Sequence, residues 1–288
     1  MSGRYLSPFL LAVDFRRLLL YKVVWPGGEA SLTEIIFLGT SGPYPSRGSD
    51  NTAFLAVFGD TRCLIDCPGS VVRKMLQVDV DPLEVGHLFL THAHTDHIYG
   101  LPSLVHSLML KRHLIRIYGS GATLEAAAGL LDFFRLREDR YMTRVELVEA
   151  VSGATIRLAA GLSVDFLKVP HHESSLALSF AFAGKKMVFS GDTPPCSELF
   201  EWAGGVDVLV HDCGGPRRFF DLYPALESRH TDALTLGERS VRAGVGLLVP
   251  CHFLAELDFD KSEVEREIKR NFSGRLHVPR DLERLALG

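Results

Sequence analysis

The chain has 288 residues, 47% hydrophobic and 23% charged, with 26 glycines. That balance suits a substantial buried core with many tight turns and excludes a disordered or fibrous chain. A formal net charge of -4 and a pI near 6.3 supply no global positive field, which disfavours holding long nucleic acids by phosphate neutralisation.

Residues 1–32 read as an N-terminal extension, because Pro26-Gly27-Gly28 breaks the chain just before a first core strand at 34–38. Its apolar run at 6–13 is followed by Asp14, Arg16 and Arg17 without the small-residue cleavage pattern of a secretory leader. A second run at 17–25 suits a strand or a helix equally. Strand-like runs follow at 53–57, 63–65, 87–90, 115–118, 164–169, 177–183, 187–189, 206–210 and 247–249. Helical patterns fit 101–111, 124–134, 197–202, 233–242 and 262–272, the last with Ser262 and Glu265 at capping-box spacing. No linker or repeat interrupts 33–288, which reads as one catalytic domain. No run reaches the ~20 apolar residues of a membrane span. Cys63, Cys67, Cys196, Cys213 and Cys251 form no CxxC pair, so a reducing cytoplasm is expected rather than a disulfide framework.

The sharpest motif is Thr91-His92-Ala93-His94-Thr95-Asp96-His97, directly after the strand-like 87–90. Residues two apart on an extended backbone point the same way, so His92 and His94 can grip one ion. A turn from Thr95 can then swing Asp96 and His97 toward a second. Four such groups cannot fill two sites, and further ligand types do stand at other strand ends: His171-His172 after 164–169, Asp192 after 187–190 and His252 after 247–249. Imidazole and carboxylate at this density suit zinc, with manganese and iron as alternatives.

HxHxDH at 92–97, then His, then Gly191-Asp192-Thr193, then His, resembles the ligand order of the metallo-β-lactamase superfamily. The spacing is most similar to the branch holding ribonuclease Z and the cyclic-phosphate phosphodiesterase of phosphonate breakdown. Phe37-Leu38-Gly39-Thr40-Ser41-Gly42, Leu64-Ile65-Asp66-Cys67 and Val210-His211-Asp212-Cys213 are also like that branch. The resemblance implies an α/β (α+β) fold, a four-layer αββα sandwich with the ligands at one edge of two facing sheets. It implies two divalent ions, one on His92, His94 and His171 and the other on Asp96, His97 and His252, with Asp192 bridging. His171 is preferred over His172 because its step to 177–180 matches the family's. Two ions about 3.5–4 Å apart can share a water, deprotonate it near neutral pH and clamp an in-line displacement.

Ser228-Arg229-His230-Thr231-Asp232 opens the helical stretch 233–242. By resemblance, His230 supports the departing oxygen and Asp212 orients it, so Asp96, His230 and Asp212 are the candidate catalytic groups. The bland alternative is that Thr231 or Asp232 caps the helix and His230 is exposed. His87, His106, His113, His172, His211 and His277 read as surface or packing residues, and Cys251 as core. The turn at Gly39-Thr40-Ser41-Gly42-Pro43 is placed near the site.

Two departures from the relatives narrow the expectation. Only 181–186 separates the strands that carry the transfer-RNA-gripping arm in ribonuclease Z, and nothing between Gly39 and Ala53 matches the cysteine-rich metal loop of the phosphonate enzyme. The expected activity is a two-metal phosphodiesterase acting on a small or cyclic phosphodiester or an RNA end. A ribonuclease Z-type endonuclease, a hydrolase of lactones, sulfates or thioesters, and an iron redox protein or metal binder are the alternatives. The segments 101–112 and 216–227 are expected to shape the pocket. Arg217, Arg218, Phe219, Phe220 and Tyr223 in the latter suit a phosphate with an attached base, and equally a homodimer interface.

Overall fold

Neighbouring side chains of strand β1 (Thr33–Gly39) go to different layers: Ile35 and Phe37 enter one apolar cluster, Ile36 and Leu38 another. Period-two alternation of this kind means that both faces of the sheet are covered. The computed structural model describes residues 33–287; the N-terminal extension with its apolar runs at 6–13 and 17–25 lies outside the described residues, as does residue 288.

β1 belongs to a seven-stranded sheet with β2 (Ala53–Phe58), β3 (Thr61–Ile65), β4 (Val85–Phe89), β5 (His113–Gly119), β6 (Thr143–Glu149) and β14 (Arg284–Ala286), in the order β14-β1-β2-β3-β4-β5-β6. The second sheet has the order β13-β12-β11-β10-β9-β8-β7. Its strands are β7 (Thr155–Ala159), β8 (Leu162–Lys168), β9 (Leu176–Phe182), β10 (Lys185–Phe189), β11 (Val208–Asp212), β12 (Leu247–Cys251) and β13 (Arg275–Leu276). In each sheet one run is parallel, β3 to β6 in the first and β10 to β13 in the second.

The inner faces meet in an aromatic-rich layer that includes Phe37, Phe54, Phe89, Phe166, Phe180 and Phe189. On the outer face of the first sheet pack α1 (Val71–Gln77), α3 (Leu101–Leu108) and α4 (Gly121–Phe133). Helices α5 (Ser197–Trp202), α7 (Ala233–Arg242) and α8 (Lys261–Ile268) cover the second. Three apolar layers between four layers of structure make the expected αββα sandwich. All five cysteines are buried and unpaired. Among the described residues no helix is long and apolar enough to cross a membrane.

Two local features differ from the sequence reading, and a third, the short β9–β10 connection, agrees with it. β6, β7 and α1 were not expected; β6 and β7 are the outermost strands of their sheets, half exposed, and carry a weak hydrophobic signal. Helix α8 starts earlier than its capping-box spacing suggests, because Asp260 accepts from the Ser262 N–H at 2.8 Å and is the cap. Between β9 and β10 the turn is Ala183-Gly184, both with positive φ (51° and 78°), a geometry that matches the twist of a two-residue hairpin and leaves no room for an arm.

Candidate metal centre

The carboxyl ends of β3, β4, β8, β10, β11 and β12 meet at one edge of the sandwich, where sites in open α/β sheets lie. Beyond β4 the chain stays extended through His94 (φ -67°, ψ 149°), then turns into the single helical turn α2 (Thr95–Ile98). That change of backbone sends His92 and His94 to one side and brings Asp96 and His97 back to the other.

All seven candidate metal-binding residues come together in two groups, His92–His94–His171 and Asp96–His97–Asp192–His252, within each of which the donor atoms lie within 4.8 Å of one another. In the first, His94 Nδ1 is 2.9 Å from His92 Nε2 and 3.2 Å from His171 Nε2. In the second, His97 Nε2 is 3.3 Å from Asp96 Oδ2 and 3.3 Å from Asp192 Oδ2. His252 Nε2 is 3.1 Å from Asp192 Oδ2 and 3.5 Å from Asp96 Oδ2. The same Asp192 oxygen is 3.7 Å from both His92 Nε2 and His171 Nε2, so it faces both groups.

Nε2 of His97 and both ring nitrogens of His252 are buried without a hydrogen-bond partner among the described residues. Leaving such atoms unsatisfied costs about 1–3 kcal/mol each, and a cation between the Nε2 atoms of His97 and His252 and the oxygens of Asp96 and Asp192 satisfies those two, while His252 Nδ1 faces Asp212 instead. The donor set fits divalent ions of the nitrogen- and oxygen-binding kind.

Charge divides the two groups. Burial pushes His92 well below the ordinary imidazole value, with the neighbouring His97 adding to it, and burial also lowers His94 and His171. Burial thus favours the neutral form of these rings, the form that can offer a lone pair to an ion. For His97 and His252 burial opposes the charged form but loses: Asp192 and Asp66 hold His97 well above its ordinary value, and Asp192 with Asp96 pushes His252 up to about 10. Burial raises Asp192 and Asp96, yet contact with His252 and His97 holds both below the usual carboxylate range. The carboxylates demand positive charge, which protons supply when no cation does.

Supporting contacts orient the donors. Asp66, left-handed at φ 61°, accepts from the Thr91 N–H at 2.8 Å and lies 2.7 Å from His97 Nδ1, while Thr91 Oγ1 lies 3.0 Å from His92 Nδ1. One buried carboxylate thus touches His97 directly and His92 through a hydroxyl. In the sequence Asp66 stands only as a lone acid at the end of a strand, within the family-like run Leu64-Ile65-Asp66-Cys67. His171 Nδ1 donates to the Arg229 carbonyl at 2.8 Å, leaving Nε2 for the group, whereas His172 turns Nδ1 to Ser174 Oγ at 2.8 Å. The His172 ring still sits 4.9 Å from that of His94, nearer the site than a packing residue was expected to be.

His230 is buried, with Nδ1 2.9 Å from Asp212 Oδ2. Its ring stacks on His252 at 5.1 Å and lies 5.3 Å from that of His171. Asp232 caps α7, accepting from the Thr235 N–H at 2.9 Å, so the cap and the histidine–aspartate pair coexist where they had been alternatives. Gly42 closes one side: a Cβ there would lie 3.1 Å from His252 Cε1.

The segments expected to shape the pocket are used differently. Helix α3 buries Leu101, Leu104, Val105 and Leu108 against the first sheet. In α6 (Arg217–Leu222), Phe219 and Phe220 are buried, Arg217 pairs with Asp221, Glu227 and Asp232, and Arg218 with Glu263. These arginines are engaged by the protein's own acids, and Tyr223 remains exposed.

The sequence profile described as the Beta-lactamase superfamily domain matches residues 61–253. The Ribonuclease Z of Archaeoglobus fulgidus is 26% identical, the alignment covering 84% of this chain and 94% of that protein. Among solved structures, the metallo-beta-lactamase fold protein YhfI from Bacillus subtilis superposes with a TM-score of 0.76 at 20% identity, covering 90% of this chain and 100% of its own. The short form of human tRNase Z gives 0.72 at 17% identity, covering 88% and 99%. With the profile spanning both sheets and the seven histidine and aspartate residues gathered at their shared edge, the chain belongs to the beta-lactamase superfamily.

Proposed function

We propose that the protein is a metal-dependent phosphodiesterase, with residues 33–288 as its catalytic unit and a phosphodiester at an RNA end or in a small molecule as substrate. One zinc ion is assigned to His92, His94 and His171, a second to Asp96, His97 and His252, with Asp192 shared. The observation that carries the metal reading is the Asp192 oxygen facing four imidazole nitrogens at 3.1–3.7 Å. Divalent ions bound there would polarise a phosphoryl group and lower the pKa of a water.

The choice of a phosphodiester rests on His230. Held through Nδ1 by Asp212, it keeps Nε2 free, and its ring stands between those of His252 and His171. A proton on Nε2 can pass to an oxygen leaving from the centre. The five unpaired cysteines suit action in a reducing cytoplasm.

A ribonuclease Z-type activity is the second reading. The relatives' name favours it and stands in tension with the expectation that long nucleic acids are poor partners. The two-residue turn between β9 and β10 and the net charge of -4 weigh against transfer-RNA gripping in the manner of an arm.

Zinc-loaded protein should hydrolyse bis(p-nitrophenyl) phosphate far faster than the monoester. A preference for the monoester, a sulfate or a lactone would overturn the proposal. Cleavage of a precursor transfer RNA at its 3' trailer, at rates well above those on short diesters, would select the second reading.

A further inference from the structure

Asp212 stands at the end of β11 with its two oxygens in different situations. Oδ2 takes the Thr193 N–H at 3.0 Å and His230 Nδ1 at 2.9 Å. Oδ1 is buried and has no partner among the described residues, and 3.8 Å from it is His252 Nδ1, buried and likewise without a partner among them. The flank of the His252 ring at that point is Gly42, which brings no polar side chain. His252 itself has a left-handed backbone, φ 64°, uncommon for a residue other than glycine although histidine adopts it more readily than most. The ring lies with Nε2 toward Asp192 and Asp96 and Nδ1 toward Asp212.

This orientation fixes the tautomer. A nitrogen that gives its lone pair to a cation leaves the ring proton on the other nitrogen. For His252 that proton is on Nδ1, and the carboxylate oxygen facing it is Asp212 Oδ1 at 3.8 Å, which an approach of about 0.6–1 Å turns into a hydrogen bond. We infer that Asp212 is a positioning residue for two imidazoles at once, His230 through Oδ2 and His252 through Oδ1, and that it thereby sets the affinity of the second metal site. The inference rests on the metal-binding reading above and adds to it a role that a partner of His230 alone would not have.

Asp212→Asn separates the two roles. The amide oxygen can still accept from His230 and Thr193, but the amide nitrogen then meets the His252 Nδ1 proton, donor against donor. Metal-stripped wild type, Asp212→Asn and His230→Ala are titrated with zinc against a chromophoric chelator. Wild type should take two equivalents. Asp212→Asn should hold one of them about 10–100-fold more weakly, the usual cost of losing a carboxylate behind a ligand histidine, and His230→Ala should hold both as wild type does. Asp212→Asn with two wild-type sites, or His230→Ala weakened to the same degree, overturns the inference alone. A wild type that takes up no zinc removes the metal reading as well.

Should Asp212→Asn fail to fold, zinc-loaded wild type carries the test through long-range proton–nitrogen spectra of its imidazoles. The His252 Nδ1 proton should be shifted downfield and slow to exchange, assigned by its loss in His252→Gln. Its absence, or a proton found on Nε2, overturns the inference.

Discussion

Asp66 and His97 are 31 residues apart in sequence, and the carboxylate of the first lies 2.7 Å from Nδ1 of the second in the buried floor of the site. The contact joins the end of β3 to α2 and decides which nitrogen of His97 faces Asp96 and Asp192. Because Thr91 relays the same carboxylate to His92, both metal groups depend on it.

Asp66→Asn should therefore weaken zinc at both sites, by about 10–100-fold each, since one of the two acceptor oxygens becomes a donor facing Thr91 or His97. Competition titration reads the change, and weakening confined to one site would show that the Thr91 relay carries no weight.

Asp192→Ala removes the oxygen that both groups share. Elemental analysis after dialysis should fall from near two metal equivalents to one or fewer, with the secondary structure retained because Asp192 lies outside the strands. Retention of both equivalents would rule out a bridging role.

How much of this was legible follows from distance along the chain. His92, His94, Asp96 and His97 could be read directly, because six consecutive residues and one change of backbone place them all. His171, Asp192 and His252 could be read only as a set, since each alone is an ordinary polar residue after a strand. The four layers were expected only from the family resemblance; the strand itself, apolar throughout from Ile35 to Leu38, shows a core strand, and only the structure divides its side chains between two layers. Asp66 was not legible, because its meaning comes from His97 and Thr91 across a parallel strand pair. Nor was the fate of Arg217 and Arg218, whose residue types suit a phosphate but whose acids arrive from as far as Glu263.

Metal-free protein should show a pH dependence of stability that metal abolishes. His252 has its folded value raised to about 10 from an ordinary 6.5, so its proton favours the folded state. That contribution is complete below about 6.5 and is lost as pH rises toward 10. The Tm of the metal-free protein should decline across this window while that of the zinc-loaded protein stays flat, the ion having replaced the proton. A metal-free Tm that does not fall between these values would show that His252 is not protonated there.

His230→Ala tests the chemistry rather than the fold or the metal. The ring is buried but belongs to none of the three apolar clusters, and the helix that follows is capped by Asp232. Its loss should leave Tm and metal content close to wild type. Turnover of an alkyl or nucleoside diester should drop by about 10²–10⁴-fold, the scale of general acid catalysis, because an alkoxide leaves poorly without a proton. The nitrophenyl diester should be much less affected, since nitrophenolate needs no proton to depart. Asp212→Asn should reproduce this selectivity in weaker form and add the metal defect, so the ratio of the two rates separates proton donation from metal loss. If the two esters decline equally in His230→Ala, the imidazole binds the phosphoryl group without protonating the leaving oxygen. Unchanged rates on the unactivated diester would remove His230 from the reaction and leave the metal centre to act alone.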